Sequence, residues 1–286
     1  MHKYLLSFGH GYSAQALACN LLPLGWKIIG TTRDKKKLLK LRETGIQPYL
    51  WGDSGIEEAF SKATAVLISA GPNEEGDPVF LRYNKLFKKY AAKLDWVGYL
   101  STTGVYGDFN GQWVDENSET KPGSKNGIER LKAEKLWIEI SKKYNLQLQI
   151  FRLSGIYSNQ SNILKRLKTK EVKIVNKKNQ FFSRIHLEDI ANVLFKSLEI
   201  FKKGEIYNIS DDKPASMEEV INYGTKLLGV DKPKTIEVDQ LENEMLRNFY
   251  KDSKKISNKK MKKFFKYELK YPTYIEGLNN IYNNSI

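Results

Sequence analysis

The chain is 286 residues long, 41% hydrophobic and 28% charged, with a formal net charge of +14; that is enough for one large α/β domain or two small ones around a sizeable core. No apolar run approaches the roughly 18 residues of a membrane span, and Met1–Leu6 gives way to a glycine loop too early for a signal peptide, so a cytoplasmic protein with no membrane partner is expected. The single cysteine, Cys19, excludes an internal disulfide, and His2, His10 and His186 lack ligand spacing, so no metal is expected.

The first half alternates short apolar runs with helical patterns, the rhythm of βαβ units and a parallel sheet covered on both faces. Tyr4–Phe8 reads as a strand, Ser13–Leu24 as a helix closed by Gly25, and Trp26–Thr31 as the second strand. Lys35–Glu43 is helical, Gln47–Trp51 the third strand, Ile56–Lys62 a helix, Ala65–Ser69 the fourth strand, Val79–Leu94 a long helix and Trp96–Ser101 the fifth strand. A helix from about Gly127 to Tyr144 and the strand Leu148–Leu153 follow. Beyond them the rhythm breaks into Phe181–Leu187, Glu188–Phe201, Ile206–Ile209 and the helix Met217–Leu228, and a turn at Tyr271–Tyr274 opens a last helix. The fold class is therefore α/β, a doubly wound parallel sheet or Rossmann fold with a smaller C-terminal substrate lobe. The division expected is a dinucleotide-binding domain over residues 1–155 and a lobe over 156–286, of which about 184–210 returns to the main sheet.

Gly9-His10-Gly11-Tyr12-Ser13-Ala14 lies between the first strand and the first helix in the G-x-G-x-x-G/A pattern. The first glycine allows a tight turn, the second lets backbone approach a pyrophosphate, and Ala14 lets helix pack on strand. The helix N-terminus adds unpaired N–H groups and partial positive charge. At the end of the second strand an acid would hold the ribose hydroxyls of NAD. The chain reads Gly30-Thr31-Thr32-Arg33 there, and a guanidinium suits a 2′-phosphate, so NADP is the expected cofactor with NAD as the alternative. Asp34 is better placed to cap the helix that follows.

Ser101-Thr102-Thr103-Gly104-Val105-Tyr106-Gly107 and, further on, Ser124-Lys125-Asn126-Gly127-Ile128-Glu129-Arg130-Leu131-Lys132-Ala133-Glu134 resemble the active-site segment of the extended short-chain dehydrogenase/reductase superfamily, in its epimerase and dehydratase branch. Phe151–Tyr157, Arg184–Ala191 and Gly204–Ile209 resemble that family's later landmarks. The glycine spacing departs from the G-x-x-G-x-x-G of most extended members.

The resemblance implies that Thr102 hydrogen-bonds a substrate oxygen, that Asp53 meets the adenine amino group, and that Ala70 and Gly71 form a turn beside the ribose. It also implies a Tyr-x-x-x-Lys pair, in which the tyrosine transfers the proton and the lysine lowers its pKa and grips the ribose. Asn126 and Arg130 stand at those positions. Asn126 has no titratable proton, whereas Arg130 keeps a cation for ribose or phosphate but cannot give up its proton. Tyr250 and Lys254 have the same spacing, in no matching context, and read as coincidence. His186 is expected to be structural and Tyr106 to pack in the core.

Two readings stay open: an NADP-dependent oxidoreductase, epimerase or dehydratase acting on a sugar nucleotide or another carbonyl or alcohol, and a non-catalytic protein that senses the cofactor. Much of the positive charge sits in 251–266, read as a solvated lysine-rich stretch, with contact to an anionic substrate as the alternative and a nucleic-acid partner not expected because few aromatics interleave. The family often forms homodimers, which the resemblance extends to this chain.

Overall fold

The computed structural model describes residues 3–242, 247 and 249–284, so His2 lies outside it. The chain gathers into two compact units, Met1–Ser101 with Glu129–Arg152 and Ile190–Tyr207, and Thr102–Ile128 with Leu153–Asp189 and Asn208–Ile286.

The main sheet has seven strands. β1 (Tyr4–Phe8), β2 (Lys27–Thr32), β3 (Ile46–Leu50), β4 (Ala65–Ile68) and β5 (Trp96–Thr102) are joined by Leu148–Leu153 and Ile206–Ile209. The order is Ile206–Ile209, Leu148–Leu153, β5, β4, β1, β2, β3, with parallel pairing of β1 to β2 and β4, β2 to β3, and β4 to β5. Side chains along β4 and Leu148–Leu153 are buried throughout, because a parallel strand covered on both faces exposes neither. The expected α/β class and doubly wound parallel sheet are thus present.

α1 (Tyr12–Leu21), α2 (Lys37–Glu43), α3 (Ile56–Lys62), α4 (Pro78–Tyr90) and α5 (Lys125–Tyr144) follow. α1 stops three residues short of the expected end. Pro23 cannot donate a backbone hydrogen bond, so the last turn tightens into a 3-10 turn over Leu22–Leu24, closed by Gly25 at φ 79°. α4 starts at Pro78 because Asp77 caps it, accepting from the Val79 and Phe80 amides at 3.0 and 2.9 Å. The other Asp77 oxygen accepts from Trp137 Nε1 at 3.1 Å, which fastens α5 to the start of α4. Phe87 meets Trp137 edge-on at 4.8 Å and Phe60 at 5.0 Å, inside a core that also holds Phe8 and Tyr83.

The second unit is built from shorter pieces. Arg184–His186 pairs in parallel with Gly155–Tyr157, Thr235–Glu237 with Ile174–Asn176, and Lys255–Ile256 with Trp113–Val114. Only three residues of the expected strand Phe181–Leu187 form one, since Phe182 bridges Ala215 instead and Leu187 already begins the helix Leu187–Glu199. Helices Ile163–Lys168, Met217–Leu228 and Tyr274–Asn284 share a core of Leu164, Leu167, Ile221 and Leu278. Asp189, fully buried, accepts from Tyr267 Oη at 2.6 Å and from the Lys270 and Tyr271 amides at 2.7 and 3.1 Å. That is why the Arg184–Ala191 landmark carries an acid: its carboxylate fixes the 267–271 turn. No helix of the described residues is long and apolar enough to cross a membrane.

Candidate functional site

In the first unit, β1 ends at Phe8 and the chain turns at Gly9, whose φ is +76°. A β-carbon there would come within 2.8 Å of the Ala70 amide nitrogen, so glycine serves both the left-handed turn and the close approach. Gly9 donates its amide to Thr31 Oγ1 at 3.0 Å and His10 donates its amide to the Thr31 carbonyl at 2.8 Å, locking the loop to the end of β2. Gly11 then opens α1 with no side-chain cap, and the first turn carries no acid. The positive end of α1 is therefore available to an anion.

The loop forms one wall of a cavity of about 680 Å³, with Thr31 to Asp34, Lys37 and Trp51 on one side and Ser69 to Gly71 on another. Arg33 and Lys37 are both exposed, so this rim carries two cations. The same lining also carries two acids, Glu75 and Asp34, and Asp34 Oδ1 accepts from the Lys36 amide at 2.9 Å. His10 is buried, with Nε2 against Gln15 Oε1 at 3.2 Å and Nδ1 without a partner among the described residues. Burial pushes its pKa down to about 4, which keeps the ring neutral near pH 7.

Arg130 belongs to the same unit. Its Nη1 donates to the Leu100 carbonyl at 2.6 Å, and its Nη2 lies 3.0 Å from where a β-carbon on Gly71 would sit. The structure thus brings Gly9, His10, Gly11, Arg33, Ala70 and Gly71 to one cavity and Arg130 against its Gly71 edge. Tyr12 and Ser13 head α1, Tyr12 being largely exposed. Asp53 is engaged in a turn, accepting from the Gly55 amide at 2.8 Å, and Trp51 stands on the cavity wall. Lys37 is the cation that the sequence reading placed only within a helix.

A second cavity, about 470 Å³, lies within the second unit. Thr102 and Asn126 both line it. Thr102 Oγ1 accepts from the Gly104 amide at 3.1 Å, leaving its O–H to donate elsewhere. Asn126 is exposed on the first turn of α5, one turn before Arg130. Gly107 has φ +73°, and a β-carbon would overlap the Lys121 carbonyl oxygen; the Val-Tyr-Gly signature ends in glycine for that reason. Tyr106 is buried and donates to Asn208 Oδ1 at 2.8 Å, so it packs and braces, as expected.

Three lining residues were not anticipated: Ser154, Asp252 and Lys254. The Ser154 hydroxyl is buried with no partner among the described residues. Lys254 Nζ sits 3.3 Å from Asp252 Oδ2, the two side chains only 12% and 19% exposed. Burial holds the amine below the usual lysine range, against the opposing pull of Asp252 and Asp108. The spacing to Tyr250 has no structural meaning: Tyr250 is in a turn, its ring edge-on to Phe182 at 5.4 Å. No local signal marks Lys254, which reaches the cavity from a run that reads as surface. His186 lies between Tyr271 and Tyr157, 4.1 and 5.1 Å away between ring centres, a structural position.

A model of the NAD dependent epimerase/dehydratase family matches residues 9–210. The chain belongs to the NAD dependent epimerase/dehydratase family. Among members and relatives, the Escherichia coli K12 protein YeeZ is 25% identical over 248 residues, covering 81% of this chain and 86% of that one. A functionally unknown conserved protein from Silicibacter pomeroyi has a solved structure that is 39% identical, with 99% of both chains covered and a TM-score of 0.94. The UDP-glucuronic acid 4-epimerase of Bacillus cereus, solved in complex with NAD, shares the fold at a TM-score of 0.76, with 17% identity and 98% and 97% coverage. The family resemblance of the sequence is therefore correct, and this member carries Asn126 and Arg130 where the resemblance calls for tyrosine and lysine.

Proposed function

We propose that this epimerase/dehydratase family member is an NADP-dependent enzyme acting on a carbonyl, alcohol or sugar-nucleotide substrate. The observation that carries the reading is the first-unit cavity, in which an uncapped helix N-terminus and two exposed cations, Arg33 and Lys37, line the same space. Such a donor set fits a pyrophosphate and a phosphorylated ribose. Gly11 leaves the approach open, since a β-carbon there would meet only the Gly9 carbonyl at 3.7 Å.

When bound, the dinucleotide supplies or accepts a hydride. Everything else falls to the chain. The amides at the start of α1 hold the pyrophosphate, Arg33 and Lys37 take the 2′-phosphate, and Arg130, fixed by the Leu100 carbonyl, holds the nicotinamide ribose. Thr102 orients the substrate oxygen with its hydroxyl proton, and Asn126 adds a hydrogen bond without exchanging a proton. Residues 156–286, apart from the stretch of about 184–210 that returns to the main sheet, supply the substrate lobe.

A second reading, a cofactor sensor without turnover, is favoured by one feature: position 126 is asparagine. The two separate in one experiment. Purified protein is titrated with NADPH and then offered a panel of carbonyls and sugar nucleotides while the nicotinamide absorbance is followed. The enzyme reading expects binding and a change of absorbance that Thr102→Val abolishes. Binding with no turnover on any substrate supports the sensor, and absence of binding to either dinucleotide ends both.

A further inference from the structure

The second-unit cavity holds a titratable group that the reading above leaves unused. We propose that Lys254 is the proton-transfer residue of this protein: its ammonium protonates the oxygen of a carbonyl substrate hydrogen-bonded to Thr102, and its neutral amine takes that proton back in the opposite direction. This role rests on the NADP-dependent reading of the preceding section.

Geometry carries the proposal. Thr102, Asn126 and Lys254 line the same 470 Å³ cavity. Of the titratable side chains on its wall, Lys125 is exposed and Asp252 is engaged with Lys254. The amine is also held in register. The Ser253 amide donates to Asp108 Oδ1 at 2.7 Å, Ser253 Oγ donates to the Asn179 carbonyl at 2.6 Å, and the Lys255 amide donates to Gln112 O at 2.9 Å. With both chain neighbours fixed the backbone at Lys254 is held, and its side chain is enclosed, 12% exposed and 3.3 Å from Asp252 Oδ2. The unpartnered Ser154 hydroxyl on the same wall is a second group waiting for a ligand oxygen, because a buried hydroxyl normally has a partner.

The chemistry balances without further reagents. In the reductive direction a dinucleotide, when bound, would supply the hydride with both its electrons to the carbonyl carbon, and the C=O π pair would move to oxygen. That oxygen takes a proton from Nζ, giving the alcohol and a neutral amine, which regains a proton from water. Lysine suits this where arginine does not, because burial brings its amine toward working pH. The charges facing Nζ are Asp252 and Asp108, which oppose that shift, and Lys125 across the cavity. Lys255 is turned onto the ring of Phe181 at 4.1 Å.

The test combines titration of the amine with turnover. Competitive acetylation with acetic anhydride, read lysine by lysine by mass spectrometry over a pH series, reports the ionisation of Lys254 in the full chain. The proposal expects its reactivity to rise at lower pH than that of exposed lysines such as Lys125. It also expects Lys254→Met and Lys254→Arg to bind NADPH as the wild type does while losing about 10²- to 10⁴-fold in kcat, with KM moving far less. A Lys254→Arg protein within tenfold of wild-type kcat would show that only the charge matters, as for a clamp on an anionic substrate, and overturns the proposal. So does a Lys254 that titrates with its exposed neighbours. If the wild type binds no dinucleotide, the preceding reading fails and takes this role with it; binding with an ordinary Lys254 amine defeats this role alone. Should no substrate of the panel turn over, the acetylation profile decides.

Discussion

Arg130 donates from Nη1 to the carbonyl oxygen of Leu100 at 2.6 Å, so the cation in the family's lysine position is tethered to the end of β5 and not free to swing. Its Nη2 is left pointing at the Gly71 edge of the first-unit cavity. On the proposed reading Arg130 keeps the one task of the family's lysine that needs only charge.

Replacing Arg130 should accordingly affect cofactor more than fold. Arg130→Met is expected to weaken NADPH binding by about 10- to 100-fold, the usual worth of a charge-assisted hydrogen bond, and Arg130→Lys to recover part of it. Calorimetric titration checks this. Unchanged affinity in Arg130→Met would remove Arg130 from the site.

Arg152 and Glu134 form a buried pair through Nε to Oε1 at 3.1 Å and Nη2 to Oε2 at 2.8 Å, and Ser101 adds a hydrogen bond to the same carboxylate. Breaking one side of such a pair strands a charge in the interior. Glu134→Gln is expected to cost about 3–5 kcal/mol of stability, whereas Glu134→Met with Arg152→Met together should cost much less. Denaturant melts of the three proteins give the comparison.

His186 links stability to pH. Its pKa falls from 6.5 to about 4, chiefly through burial. The unfolded chain takes up the proton near pH 6.5 while the folded one resists to about pH 4. The ring's contribution is therefore fully present above pH 6.5 and fades as the pH drops through that window, by about 2 kcal/mol at pH 5. Asp211 acts in the opposite sense, its carboxyl being pushed up to about 8 by burial, so the net curve mixes both. His186→Phe isolates the ring: relative to the wild type, its unfolding free energy should rise by about 2 kcal/mol between pH 7 and pH 5. Equal slopes would contradict the buried, neutral histidine.

Features whose physics is local were legible in the sequence. The strand, glycine loop and helix from Tyr4 to Leu21 follow from spacing, whereas the run from β5 into Val105-Tyr106-Gly107 was legible through the family resemblance, and the φ of Gly107 forbids a side chain there. Helix ends were misjudged where a single residue overrode periodicity, as Pro23 does after α1 and Asp77 before α4. The second unit was least legible. Its strands are two or three residues long, as at Lys255–Ile256, too short to show alternation. Lys254 was hidden for a related reason: its burial is created by Ser253 and Lys255 hydrogen-bonding to segments about 140 residues away, and nothing in a lysine-rich run announces which lysine turns inward.

Calorimetric titration of NADPH and NADH into the wild type and an Arg33→Ala, Lys37→Ala double variant tests whether the first-unit cavity holds NADP through Arg33 and Lys37. The account predicts that the wild type prefers NADPH by about tenfold or more, and that the double variant loses this preference while its affinity for NADH stays the same. Equal or tighter binding of NADH by the wild type, or a preference that survives in the double variant, would contradict it.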